Sequence, residues 1–142
     1  MKKYLLPILL IGFWGCEDNE SDDSSATNQL VGVYDRISIT INVDSNPSQT
    51  TTLEMDGSNY YATMILGEEG TYSEQGMADG EFFSTSGTWS TTGSKVTITS
   101  DESTIIFDYD YKSSEQKLTL TLEVPETADD YGGSIVYVYE KE

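Results

Sequence analysis

A chain of 142 residues is long enough for one domain, and this one carries 25 acidic and seven basic residues for a formal charge of −18. Such a charge opposes nucleic acids and anionic lipid heads, both polyanions. The chain has no histidine, which removes Ser-His-Asp and Cys-His catalysis, His-ligated zinc and the usual general base near neutral pH.

The first residues pair a positive start, Lys2 and Lys3, with an apolar run from Tyr4 to Trp14 broken only by Pro7 and Gly12. That is the pattern of a secretory signal peptide. As a helix the run reaches roughly 16 Å, short of the ~30 Å hydrocarbon core, so a membrane-spanning helix is not expected. Cys16, the single cysteine, follows the small residue Gly15 directly after this run. The arrangement resembles the lipobox of bacterial lipoproteins, with Phe13 and Trp14 departing from its usual Leu and small residue. The resemblance implies removal of residues 1–15, acylation of Cys16 and a membrane held through that anchor; two or more acyl chains give firm attachment. The alternative for Cys16 is a buried free thiol or an intermolecular disulfide. Loss of the leader removes Lys2 and Lys3 and no acids, taking the charge from −18 to −20 over 127 residues. No second cysteine is available, so the domain is expected to hold together by packing alone.

Glu17 to Asn28 reads EDNESDDSSATN, polar and without apolar periodicity. With Cys16 it is expected to form a disordered acidic tether, residues 16–28, reaching roughly 40 Å when extended. Ser21-Asp22-Asp23 resembles the acidic export signal of Bacteroidota surface lipoproteins. That implies an outer-membrane protein exposed at the cell surface; the alternative is a solvated spacer on the periplasmic face.

From Leu30 onward, period-two patterns predict strands. Ile37, Ile39, Ile41 and Val43 alternate with Ser38, Thr40 and Asn42. Val96 and Ile98 alternate in KVTIT. Ile105, Phe107, Tyr109 and Tyr111 share one face, opposite Asp108, Asp110 and Lys112. Leu118, Leu120, Leu122 and Val124 share another, and Ile135, Tyr137 and Tyr139 alternate with Val136 and Val138. Turn signals divide these runs: Asp56-Gly57, the strongest short hairpin cue, then Gly67–Gly70, Thr91-Thr92-Gly93 and Ser113–Gln116. Only Pro125 to Gly133 makes a long connection. Eight or nine strands joined by short turns form an antiparallel meander, which buries one apolar face by closing into an up-and-down barrel. A β-sandwich is the rival, but it needs crossovers that are scarce here.

Two stretches carry a further likeness. Leu30-Val31-Gly32-Val33-Tyr34 is similar to the L-x-G-x-W opening of lipocalin-like domains, with Tyr34 in the place of Trp. Ser86-Gly87-Thr88-Trp89-Ser90 followed by Lys95-Val96-Thr97-Ile98-Thr99 resembles a hairpin of lipocalin-like domains in Bacteroidota lipoproteins. Together they cover residues 29–142 and imply a calycin-type barrel. Leu30, Gly32 and Tyr34 would then close one end, with the Tyr34 ring packed across it. That family often pairs the ring with an arginine near the last strand; here the single arginine is Arg36.

Catalysis is not expected, nor is a cofactor. Asp108 and Asp110 share a strand face about 7 Å apart, within the range of glycosidase carboxylate pairs, yet opposite the apolar face. Glu68-Glu69, Asp101-Glu102 and Asp129-Asp130 are adjacent acids, but none matches a calcium-loop pattern, so no metal is expected. The ten tyrosines reflect ordinary strand preference, or else suit a cavity wall or an exposed contact patch; if a pocket exists, Met55, Met64, Trp89, Phe107, Tyr109 and Tyr137 are its candidate lining. Two functions remain open: a monomeric, lipid-anchored module binding a small apolar or amphipathic ligand, or a filled barrel meeting a protein or glycan through Ala78–Phe83 and Thr127–Gly133. Interior volume separates them, a cavity of ~300 Å³ or more favouring the ligand.

Overall fold

The computed structural model describes residues 27–127 and 132–142. The leader, Cys16, nearly all of the acidic tether and Asp129-Asp130 lie outside the described residues.

Nine strands follow in order: β1 (Gly32–Val43), β2 (Thr51–Glu54), β3 (Tyr61–Leu66), β4 (Thr71–Ala78), β5 (Glu81–Thr92), β6 (Lys95–Ser100), β7 (Thr104–Lys112), β8 (Lys117–Val124) and β9 (Gly133–Lys141). Every pairing is antiparallel, and β1 pairs with β9 to close the sheet. Eight strands therefore form an up-and-down barrel, and β2 is an extra strand on the edge of β1.

Alternation decides which side chains fill the interior. Leu118 and Leu120 pair with Tyr139 and Tyr137, and all four face inward. Phe107 pairs with Val96, and Trp89 with Ile98. The opposite faces carry Thr97, Ile106, Asp108 and Thr121, towards solvent or half-buried.

In β1 the inward parity changes partway. Tyr34 and Arg36 face in; a bulge falls between Arg36 and Ser38, after which Ile39 pairs with Tyr137 and Ile41 with Ile135. One inserted residue switches the face that all later side chains present. Ile39 and Ile41 therefore share the face of Tyr137 and Ile135, with Ile41 still 48% exposed, while the polar-looking Arg36 points inside.

The two Asp-Gly dipeptides behave differently. Asp56-Gly57 does not form a hairpin, because β2 and β3 do not pair with one another; they lie end to end on the same edge of β1. The excursion between them is held by Asp56, whose Oδ1 accepts the N–H groups of Ser58, Asn59 and Tyr60 at 2.8–3.0 Å. The tight two-residue hairpin is Asp79-Gly80, both at positive φ (54° and 80°), joining β4 to β5. Ala78–Phe83, expected as a rim loop, is therefore mostly strand.

Strand directions give the barrel two unlike ends. The helical turn 27–30 and the connections 67–70, 93–94 and 113–116 gather at one end. There Leu30, Tyr34, Leu66, Trp89, Val96 and Leu118 pack to completion. The connections following β1, β2, β4, β6 and β8 surround the other end.

Candidate binding cavity

At the closed end the Tyr34 ring is fully buried and its hydroxyl donates to the Leu30 carbonyl at 2.8 Å. Lys141, on the last strand, holds its ammonium 5.7 Å from the Tyr34 ring and 5.7 Å from the Tyr111 ring, and donates to the Gln29 carbonyl at 3.1 Å. Lys141 thus places a cation beside the buried ring at this end. Gly32, at φ 156°, leaves room for the lysine stem, which a Cβ there would strike. Trp89 belongs to the same end, its indole N–H bonded to the Gly67 carbonyl at 3.0 Å.

Above this plug the barrel is hollow. An open cavity of about 330 Å³ is lined by apolar side chains, among them Met64, Phe83, Ile98, Ile105, Phe107 and Leu120, by Tyr72, Tyr137 and Tyr139, and by a smaller set of polar and charged groups. Phe107 and Tyr137 meet edge to face, with ring centroids 6.0 Å apart. Of the candidate lining residues, Met64, Phe107 and Tyr137 meet here. Trp89 lies in the plug, Tyr109 packs against the core without reaching the cavity, and Met55 leads into the β2–β3 excursion.

The cavity also holds an ion pair. Arg36 bonds Glu74 through Nη2, and both side chains are 11% exposed. The Tyr139 hydroxyl accepts from Arg36 Nε at 3.2 Å and Nη2 at 2.8 Å, and donates to Glu74 Oε1 at 3.0 Å. Tyr72 donates to Glu74 Oε2 at 3.1 Å. The guanidinium carbon lies 5.1 Å from the Tyr137 ring centroid and 5.3 Å from that of Tyr139. Both Glu74 oxygens are thereby engaged.

Burial, then the Glu74 charge, pushes the Tyr139 and Tyr72 hydroxyls well above the ordinary tyrosine range. Both stay protonated near neutral pH and can donate. Burial opposes the Arg36 charge, but Tyr139 and Glu74 outweigh it and its pKa is raised. The cluster is a fixed, internally neutral set of dipoles.

Arg36, Tyr72, Glu74 and Tyr139 were not among the residues expected in a pocket. The sequence did contain a signal. Tyr72 and Glu74 share parity on one strand, and Tyr34 and Arg36 share parity on another, so an inward tyrosine carries an inward charge beside it.

The cavity opens where the sheet is incomplete. β5 pairs with β6 only from Gly87 onward, because the β6–β7 hairpin turns at Ser100–Ser103. Thr85, Ser100, Glu102 and Ser103 line the cavity there. Asp108, in contrast, pairs outside the barrel with Lys95 at 2.6 Å, and Asp110 is exposed.

The chain matches no protein-family model and no curated protein.

Proposed function

We propose that this protein is a membrane-tethered, non-catalytic binding module whose lipocalin-like barrel holds a small apolar or amphipathic ligand. The observation that carries the proposal is the hollow half of the barrel. Its 330 Å³ lies just inside the lower range of ligand sites, and a wall of apolar and aromatic groups with a few fixed polar ones is what such sites present. Acylation of Cys16 supplies the membrane anchor, and the acidic tether with Ser21-Asp22-Asp23 directs the protein to the outer face of a Bacteroidota outer membrane. Thr27–Leu30 lies at the closed end, opposite the cavity mouth. Anchored in this way, the barrel would present its opening to the surroundings and not to the lipid.

Two measurements test the proposal. Cells fed labelled palmitate should label the wild-type chain and not Cys16→Ser; equal labelling would remove the anchor. Native mass spectrometry of the purified protein should show a small molecule that leaves on denaturation. A bare polypeptide mass that stays bare after incubation with small amphiphiles would favour a protein or glycan partner instead.

A further inference from the structure

We propose that the ligand of this cavity is an amphipathic organic cation, a short apolar body bearing an ammonium group, with the body inside the barrel and the ammonium at the β6–β7 corner. The proposal rests on the binding-module function above and names its ligand class.

The cavity fixes the body. Met64, Phe83, Ile98, Ile105, Phe107 and Leu120 give it an apolar wall, the Arg36–Glu74–Tyr139 cluster is already paired, and Thr85, Ser100, Glu102 and Ser103 stand at its opening. A volume of about 330 Å³ suits a small guest with a short apolar body.

A second recess fixes the head. About 230 Å³ in volume, it is lined by Ser84, Thr85, Ser86, Ser100, Asp101 and Glu102. Thr85, Ser100 and Glu102 belong to both recesses, so the two adjoin. Hydroxyls and two carboxylates surround the second space, and neither acid has a salt-bridge partner among the described residues. An ammonium brings donors and a positive charge, which these groups accept.

Segregated charge points the same way. All four lysines of the described residues lie towards the closed end: Lys95 opens β6, Lys112 ends β7, Lys117 opens β8 and Lys141 ends β9. The connections around the mouth contain no lysine or arginine, while Asp44, Asp56, Asp79, Asp101, Glu102 and Glu126 are exposed there. A mouth of one sign gathers ligands of the other and repels anions. Arg36 does not reverse this, because Glu74 neutralises it.

Calorimetric titration of the full-length chain carrying Cys16→Ser, with octylammonium, octan-1-ol and octanoate, tests the proposal. Octylammonium should bind most tightly and octanoate least, with the gap narrowing as salt rises. Glu102→Gln should shrink the preference for octylammonium over octanol by about five-fold. Glu69→Gln, which removes the same charge at the closed end, should leave that preference intact. Octanol binding as tightly as octylammonium, or octanoate binding best, would overturn the cationic class while keeping the hollow barrel as a binding site. No binding by any of the three would remove both.

Discussion

Arg36 and Glu74 are both withdrawn from water, so each ion depends on the other and on the tyrosines around them. Breaking a buried pair on one side leaves an uncompensated charge, whereas replacing both with apolar groups of similar size is often neutral or stabilising. Arg36→Met alone is expected to cost about 3–5 kcal/mol in urea unfolding, and Arg36→Met with Glu74→Leu to recover most of that loss. A single-variant cost below ~1 kcal/mol would mean that water reaches the pair. Tyr34→Phe deletes one buried hydrogen bond to the Leu30 carbonyl, and should lower stability by about 1 kcal/mol while leaving the ring packing intact. At this scale the sequence was partly legible. Phe107 and Leu120, which face inward, followed from alternation. Arg36 did not, because a simple alternation from Ile37 assigns it to the outside, and only the bulge returns it to the interior.

Strands were legible wherever one face was apolar and the other polar, as in β7 and β8. Turns were less so, because a dipeptide reports local backbone preference and not which strands it joins. Asp56-Gly57 and Asp79-Gly80 have the same local chemistry, yet only the second spans two paired strands. Gly80 has φ 80°, so Gly80→Ala should destabilise the β4–β5 hairpin by about 1 kcal/mol, seen as a lower urea midpoint. In the β2–β3 excursion, backbone N–H bonds, from Tyr60 first and then Ser58, hold the Asp56 carboxyl below its ordinary range. A depressed folded-state pKa contributes stability above the ordinary carboxylate pKa, and that contribution fades as pH falls through the folded value. The loop amides of Ser58, Asn59 and Tyr60 should therefore lose their native NMR shifts as Asp56 takes up its proton. Shifts that stay native through that titration would contradict the cap.

Across the whole molecule, tyrosines set an alkaline limit. Burial first, then Tyr111 for Tyr34 and Glu74 for Tyr72 and Tyr139, raises these three hydroxyls above their unfolded-state value. Acids with raised folded pKa values contribute fully below the unfolded value, about 10 for tyrosine, and lose that contribution as pH climbs past it. Absorbance at 295 nm should show these three hydroxyls ionising only together with loss of the β signal in circular dichroism. Titration of all tyrosines before any unfolding would contradict their burial. The barrel as a class was legible because hairpin-sized spacing and one-sided alternation leave few other ways to bury the apolar face. The hollow half was not, because period-two patterns report direction and not the space between opposing walls.

That space is the centre of the account, and uptake of the neutral fluorophore N-phenyl-1-naphthylamine measures it most directly. Thr85 faces the cavity from the edge of its opening, so Thr85→Trp should fill the entrance without disturbing the plug at the other end. The account predicts saturable fluorescence enhancement with the full-length chain, lost in a folded Thr85→Trp variant. Enhancement that persists in that variant, or is absent from the wild type, would contradict a ligand site inside the barrel.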